Sequence, residues 1–212
     1  MRFGRTVPTA CLAILATLCA ADSPNFVFIL GEGQGWASTS VGMDGNPDSA
    51  HPWLKTINFE RLAEKGAVFS DFYVPAPRCT PSRASFLTGV SASTLGMTYV
   101  TSSGLMTGQG GRQGRITTAL IPPNSLKELP EETTTIAELL NGQGYRTAHF
   151  GKWHLGKADP TVHGFDTNDG ANGNGQGSTQ QIPAYDITGK GIDFMKSCVD
   201  DGEPFYLQIS HY

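Results

Sequence analysis

Short apolar runs and amphipathic stretches alternate along the chain. Four runs have the length and composition of β-strands: 25–30 (NFVFIL), 67–74 (AVFSDFYV), 145–150 (YRTAHF) and 204–210 (PFYLQIS). The first run is apolar at almost every position, which predicts a strand that is buried on both faces of a sheet.

Segments with helical periodicity separate these runs, at 58–66, 133–145 and 187–199. Asn58 is the expected N-cap of the first helix, and Gly66 is its expected end. In the second helix, Thr135 and Glu138 have the spacing of a capping box, in which each side chain binds the backbone N–H of the other residue. The third helix is more weakly amphipathic.

A fourth helix is expected in 79–89 (CTPSRASFLTG). Thr80 is its predicted N-cap, Pro81 is the first helical residue, where a missing N–H costs nothing, and Gly89 ends the helix. Strands that alternate with helices indicate an α/β domain with a largely parallel central sheet.

The composition is that of one ordinary globular domain. The chain has 212 residues, of which 39% are hydrophobic and 26 are glycines, so a core can form while many loops remain. The net charge of -4 argues against a nucleic-acid partner that is recruited by bulk charge. The segments 101–125 and 169–178 are rich in Gly and polar residues, and we expect both to be surface loops.

Residues 1–20 have the pattern of a secretory signal. Two arginines precede an apolar run, 10–20, and small residues follow it. This run is about half of the ~20 residues that a membrane span requires, so a signal is favoured over an N-terminal membrane anchor. Cleavage after Ala20 or Ala21 would export the mature chain, 21–212, to the periplasm or to the outside of the cell.

Removal of this signal leaves two cysteines, Cys79 and Cys198. In an exported protein, the two could form a disulfide. Alternatively, Cys79 has a function of its own and Cys198 is incidental. The sequence does not choose between these alternatives.

Five stretches of the chain follow one another in a characteristic order: 24–36 (PNFVFILGEGQGW), 79–89 (CTPSRASFLTG), 129–140 (LPEETTTIAELL), 144–156 (GYRTAHFGKWHLG) and 163–166 (HGFD). Together they resemble the formylglycine-dependent sulfatases, a family with the alkaline-phosphatase-like α/β/α sandwich fold. The resemblance covers nearly all of 21–212 and corresponds to the first half of a sulfatase catalytic domain. Because the predicted last strand ends at residue 210 and no helix follows it, we expect these residues to be a fragment. The resemblance implies that an Asp-Asn pair, a further histidine and a second sulfate-binding lysine come from later in the chain, so we expect the fragment to be inactive by itself.

The resemblance implies a role for four residues. Cys79, which is followed by x-Pro-x-Arg, is the residue that a formylglycine-generating enzyme converts to an aldehyde, whose hydrate attacks sulfur and later expels sulfate. Arg83, one helical turn later, stabilises the charged nucleophile. Lys152 binds the sulfate oxygens, and His154 forms a hydrogen bond with the formylglycine hydroxyl. Their i, i+2 spacing places both on one face if the backbone is extended, with Trp153 in the core.

The expected metal site departs from the family pattern. These sulfatases have two adjacent aspartates after the first strand, and both bind calcium, whereas Glu32 and Gly33 occupy those positions here. The resemblance implies that Glu32 and Cys79 bind a divalent metal, expected to be Ca²⁺, which takes about six to eight oxygen ligands. Water, Gln34 or a residue from elsewhere would replace the missing carboxylate.

The resulting hypothesis is a secreted or periplasmic sulfatase that cleaves the sulfate ester of a sulfated carbohydrate. Its implied partners are this substrate and the formylglycine-generating enzyme, with no nucleic acid and no stable membrane span. One alternative is a phosphodiester or phosphonate monoester hydrolase of the same superfamily. Another is a degenerate relative that binds glycans without catalysis; Gly33 supports it, and the intact CTPSR and GKWH sequences argue against it.

Overall fold

The fold is built on a sheet of four parallel strands, β1 (Phe26–Leu30), β2 (Arg146–Gly151), β3 (Thr167–Asn168) and β4 (Phe205–Ser210). The structure is a computed structural model, and it describes residues 23–100, 125–172 and 184–212. The strand order is β1-β4-β2-β3, so β4 lies between β1 and β2. The parallel pairing confirms the predicted α/β class.

The carboxyl ends of three strands are level with one another. Ser210 of β4 lies opposite Leu30 of β1 on one side and opposite Gly151 of β2 on the other. Glu32 is the second residue after β1 and Lys152 is the first after β2, so the sheet brings both residues to the same edge. Functional groups of open α/β sheets gather at this edge.

Helices lie on both faces of the sheet. They are α1 (Ile57–Lys65), α2 (Cys79–Thr88), α3 (Ile136–Asn141) and α4 (Ala184–Asp201), together with two short 3-10 helices, Pro47–Ser49 and Pro160–His163. The core beneath α4 consists of Ala148, Phe150, Ile187, Phe194, Cys198, Phe205, Leu207 and Ile209. The core beneath α2 and α3 consists of Ala84, Leu87, Met97, Leu129, Ala137, Trp153, Leu155, Phe165 and Tyr206. Neighbouring residues of β4 belong to different cores because successive side chains of a strand point to opposite faces.

Strand β1 forms as predicted, but its predicted burial on both faces is wrong. Phe26, Val27 and Ile29 are 43%, 45% and 56% exposed, whereas β4 is buried throughout. β1 pairs with β4 alone and therefore forms an edge of the sheet in the described part of the chain. An apolar run shows that a strand favours burial, but it does not specify which element covers the strand.

The segment 67–74 is not a strand, contrary to the prediction. It turns at Ser70 and Asp71 and pairs with no strand within 23–100, 125–172 and 184–212. Phe69 and Tyr73 are 69% and 82% exposed. A strand needs a neighbour whose backbone completes its hydrogen bonds, and apolar composition does not supply one.

The capping box of α3 is confirmed in both directions. Thr135 Oγ1 accepts a hydrogen bond from the Glu138 N–H at 3.1 Å, and Glu138 Oε2 accepts one from the Thr135 N–H at 2.8 Å. Gly89 ends α2 in the left-handed region at φ 70°, also as predicted.

The predicted N-caps of α1 and α2 are both wrong. α1 begins at Ile57 after Thr56, one residue before the predicted cap Asn58. α2 begins at Cys79, so Thr80 is its second residue, and the Thr80 hydroxyl donates instead to the backbone oxygen of His154 at 2.9 Å. A distant hydrogen-bond partner has replaced the local one.

The predicted signal, 1–20, and most of the two Gly-rich loops lie outside the described residues, so they stay predictions. Within the described ranges, the helices are all too short or too polar to cross a membrane.

Candidate functional site

The site is built around the carboxylate of Glu32, which lies in the turn after β1. Its Oε1 accepts a hydrogen bond from Lys152 Nζ, and its Oε2 accepts one from Arg83 Nη2; both contacts are ion pairs. Arg83 belongs to α2, and Lys152 is the first residue after β2. Three segments that are far apart in sequence therefore meet on one carboxylate.

Backbone contacts fix the positions of both cations. Arg83 Nη1 donates to the backbone oxygen of Lys152 at 2.5 Å. The Lys152 N–H donates to the backbone oxygen of Ser210 at 2.8 Å and so extends the pairing of β2 with β4 beyond the strand. The guanidinium is held through two of its nitrogens, which sets its orientation.

Gly151 makes this close approach of β2 and β4 possible. Its φ is 95°, and a Cβ at this position would lie 2.0 Å from the backbone oxygen of Ser210. A side chain is therefore excluded both by the backbone conformation and by the space.

Burial and charge give this group an excess of positive charge. The side chains of Arg83 and Lys152 are only 2% and 0% exposed, and that of Glu32 is 23% exposed. Burial on its own would raise the pKa of Glu32, but the hydrogen bonds and charges of Lys152 and Arg83 outweigh it and lower the pKa. Within the described residues, one ionised carboxylate thus compensates two buried cations, and one positive charge is left over to attract an anion.

His154 follows β2 with a left-handed and not an extended backbone. Its φ is 56°, in the left-handed region that residues with a Cβ rarely adopt. Its N–H donates to the backbone oxygen of Asn172 at 2.7 Å, and its own oxygen accepts from Thr80. The extended backbone on which the predicted shared face of Lys152 and His154 depends is therefore not present at His154.

The imidazole of His154 is neutral at pH 7. Burial, followed by the positive charges of Lys152 and Arg83, lowers its pKa to about 4. Its Nδ1 is buried and has no hydrogen-bond partner among the described residues. A neutral imidazole has one donor and one acceptor nitrogen, so His154 can exchange a hydrogen bond with a hydroxyl.

Cys79 is the first residue of α2 and lies one helical turn before Arg83. Its thiol is free and partly exposed, whereas Cys198 is buried in the core beneath α4. The two cysteines are thus not joined, and of the two alternatives drawn from the sequence the disulfide does not form. An accessible thiol at this position is open to chemical conversion.

The described residues alone do not fit a calcium site. They contain no group of three or more His, Cys, Asp or Glu that could hold a metal ion. Gly33 has no side chain, and both oxygens of Glu32 are engaged by cations. Calcium needs about six to eight oxygens, most of which these residues do not supply. Metal binding by Glu32 and Cys79 stays a prediction.

Two residues that position the site were not identified from the sequence. Asp169 Oδ2 accepts a hydrogen bond from the Gly151 N–H at 2.9 Å, and Asn172 Oδ1 accepts one from the Trp153 N–H at 2.9 Å. The sequence predicts only that both belong to the polar surface loop 169–178. Their position just after β3, at the same edge as the ends of the other strands, is the signal that could have shown their role.

Known proteins resemble this chain over most of its length. The family model described as Sulfatase matches residues 24–206. Arylsulfatase A of Bos taurus is 36% identical over 162 residues, which are 74% of this chain and 27% of the relative. N-acetylgalactosamine-6-sulfatase of Sus scrofa is 33% identical over 150 residues, which are 69% of this chain and 25% of the relative. The chain thus spans about a quarter of the length of these curated relatives.

Solved structures share the fold at lower identity. Ps i-CgsB in complex with k-i-k-neocarrahexaose aligns with a TM-score of 0.64 at 21% identity, covering 89% of this chain and 45% of its own. A protein in complex with its substrate D-glucosamine-2-N,6-O-disulfate aligns with a TM-score of 0.59 at 23% identity, covering 88% and 34%. A protein of the alkaline phosphatase superfamily from Vibrio parahaemolyticus has a TM-score of 0.52 at 18% identity, covering 89% and 40%. The alkaline-phosphatase-like fold is therefore shared.

Proposed function

This chain belongs to the sulfatase family, and we propose that the protein hydrolyses a sulfate ester to an alcohol and inorganic sulfate. The observation that carries the proposal is the buried cation pair, Arg83 and Lys152, held by the single carboxylate of Glu32. A sulfate monoester has one negative charge, which matches the positive charge that Glu32 leaves uncompensated.

The cation pair has donors to spare for the sulfate. Lys152 Nζ has three N–H donors and uses one of them on Glu32. Arg83 Nε is buried and has no partner among the described residues. Fixed donors in a buried site stabilise the charge that develops on the sulfate oxygens without reorganisation, and removal of one such donor slows turnover by about 10²–10³-fold.

Cys79 is the proposed site of the nucleophile. Conversion by a formylglycine-generating enzyme would supply an aldehyde hydrate, whose hydroxyl can attack sulfur. The chain contributes the position: Cys79 begins α2, where the N-terminal N–H groups and the helix dipole favour an anion. Arg83 follows one turn later and favours the charged form of the nucleophile.

His154 is proposed to form a hydrogen bond with the hydroxyl of the nucleophile. Its neutral imidazole can accept or donate a hydrogen bond, and its left-handed backbone is fixed by Thr80 and Asn172. Glu32 and Cys79 remain the predicted metal ligands, and none of these roles depends on a bound metal.

The proposed substrate is a sulfated carbohydrate. Support comes from the relative N-acetylgalactosamine-6-sulfatase of Sus scrofa, whose name states a sulfated sugar as its substrate. The predicted signal, 1–20, supports export to the periplasm or to the outside of the cell. The formylglycine-generating enzyme is the proposed partner during maturation.

The test uses protein produced from its gene together with a formylglycine-generating enzyme. Trypsin releases the peptide CTPSR (79–83), whose mass reports an aldehyde or a thiol, and turnover of 4-nitrophenyl sulfate is measured on the same sample. We expect aldehyde and turnover in the wild type and in the control Cys198→Ala, and loss of both in Cys79→Ala. Full turnover with only unmodified thiol at residue 79 contradicts the proposal.

A second candidate function is glycan binding without turnover. Gly33 favours it, because residue 33 has no carboxylate and the neighbouring carboxylate of Glu32 is engaged by two cations. Binding of sulfated glycans without hydrolysis, in aldehyde-bearing protein supplied with Ca²⁺, supports this candidate. Faster turnover of an aryl phosphonate than of an aryl sulfate would indicate the phosphonate hydrolase instead.

A further inference from the structure

Arg78 is a cation beside the proposed nucleophile that the roles above do not use. It precedes Cys79, at the N-cap position of α2, and its side chain is exposed. Consecutive Cα atoms are ~3.8 Å apart. The guanidinium of Arg78 therefore lies within one side-chain length of the backbone that carries the nucleophile.

Tyr99 fixes where this guanidinium lies. The Arg78 Cζ is 5.2 Å from the centroid of the Tyr99 ring, which is a cation–π contact. The N–H groups of a guanidinium lie in its plane, so stacking on a ring leaves them free to form paired hydrogen bonds with an anion. The contact therefore orients Arg78 without using its donors.

Among the described residues, no carboxylate forms an ion pair with Arg78. The ion pairs of the described residues involve other cations, Arg83, Arg146, Lys152 and Lys190. The remaining ranges, 1–22, 101–124 and 173–183, contain one acidic residue, Asp22. Arg83 and Lys152, by contrast, share Glu32.

We propose that Arg78 binds a second anionic group of the substrate, a sulfate or carboxylate on the sugar that carries the scissile sulfate. The inference rests on the proposed function, because it takes the sulfate at the cation pair as the first anion. Arg83, Lys152 and Glu32 together have a net charge of one positive unit, which matches the single negative charge of a sulfate monoester. The positive charge of Arg78 is therefore available for a second anionic group. Arg78 thus selects substrates that carry more than one anion.

Binding of sulfonates, which are not hydrolysed, tests Arg78 independently of turnover. Benzenesulfonate has one anionic group and benzene-1,3-disulfonate has two, and calorimetry gives the Kd of each for the protein produced from its gene. We expect the disulfonate to bind the wild type about tenfold more tightly than the monosulfonate, since a hydrogen-bonded charge pair is worth about one decade. Arg78→Gln should abolish this difference and leave the monosulfonate Kd unchanged.

Matched variants show whether the preference for the disulfonate depends on Arg78 specifically. Arg61 is an exposed arginine of α1, and Arg61→Gln should retain the full preference for the disulfonate. Tyr99→Phe keeps the ring and should behave like the wild type, whereas Tyr99→Ala should lose part of the preference. A preference that survives in Arg78→Gln, or wild-type protein that binds neither sulfonate, overturns the proposal.

Kinetics distinguish failure of this inference from failure of the proposed function. The substrates are 4-nitrophenyl sulfate and 2-carboxy-4-nitrophenyl sulfate, which differ by one carboxylate. We expect Arg78→Gln to raise KM for the carboxylated ester alone. Turnover of both esters with no effect of Arg78→Gln overturns only the role of Arg78. An Arg78-dependent Kd difference without any turnover contradicts only the proposed function.

Discussion

The Thr80 hydroxyl donates a hydrogen bond to the backbone oxygen of His154 at 2.9 Å. Thr80 is fully buried and follows Cys79 in α2, while His154 lies three residues after the end of β2. The contact therefore links the position of the proposed nucleophile to the imidazole that is proposed to serve it. Thr80 contributes its side-chain hydroxyl to this contact, whereas His154 contributes only its backbone oxygen.

Thr80→Val tests this link because it removes the hydroxyl and keeps the shape. We expect the free energy of unfolding to fall by about 1–3 kcal/mol, since the oxygen of His154 loses a buried partner. We also expect kcat to fall and Thr80→Ser to restore both quantities. Urea unfolding and turnover of 4-nitrophenyl sulfate give the two readouts; an unchanged kcat in Thr80→Val would show that the contact is structural only.

Gly151→Ala should be strongly destabilising, because its Cβ would meet the backbone oxygen of Ser210 at 2.0 Å. The matched control is Gly144→Ala, which has a φ of 84° but open space around the Cβ. The control should lose about 1–2 kcal/mol of unfolding free energy from its left-handed backbone alone. Equal losses in the two variants, measured by urea unfolding, would show that β2 and β4 can separate at this point without cost.

Glu32→Gln should destabilise the protein by about 3 kcal/mol, because removal of one partner leaves the buried Arg83 and Lys152 without a counter-charge. Glu32→Asp keeps the charge and should lose less. Denaturant unfolding at neutral pH gives both values. A Glu32→Gln variant as stable as the wild type would mean that water or another group already compensates the two cations.

Stability should decrease as the pH falls below the ordinary range of histidine. Burial, followed by the charge of Arg83, lowers the pKa of His149 to about 3 in the folded protein. The unfolded chain takes up a proton near pH 6.5, so between about pH 6.5 and pH 3 it binds a proton that the folded protein does not. His149 therefore costs no stability above pH 6.5 and costs progressively more as the pH falls toward 3. Unfolding midpoints at pH 7 and pH 5 measure the slope, and His149→Phe, which keeps a ring beside Trp153 and Phe165, should reduce it.

Local patterns in the sequence predicted the elements whose cause is local. The Thr135–Glu138 capping box and the left-handed Gly89 depend on residues within a few positions of one another, and both are present. Strands β2 and β4 follow from their own apolar runs. The prediction of a strand at 67–74 was wrong because a strand also requires a neighbouring strand to pair with, which the residues of the segment itself do not reveal.

For the candidate site, the sequence motifs predicted which residues take part but not how these residues contact one another. The motifs named Glu32, Arg83 and Lys152 separately, but their shared ion pairs depend on the register of β1, β4 and β2. Glu32 and Lys152 are 120 positions apart in sequence. The left-handed backbone of His154 is held by Asn172 and Thr80, and no spacing rule within GKWH predicts it.

The strand order has a consequence for the route by which the chain folds. β1 and β2 share no backbone pairing, and each is joined to β4, whose start is tied to the residue before β1 by a hydrogen bond across 180 positions. Contacts of such long range slow folding because the intervening chain must first be closed into a loop. During synthesis, α2 and β2 leave the ribosome before β4. Until β4 has been made, no strand joins β1 to β2, and Arg83 and Lys152 are not yet held beside Glu32. We therefore expect the carboxylate bridge to form late, in the same step that inserts β4 into the sheet.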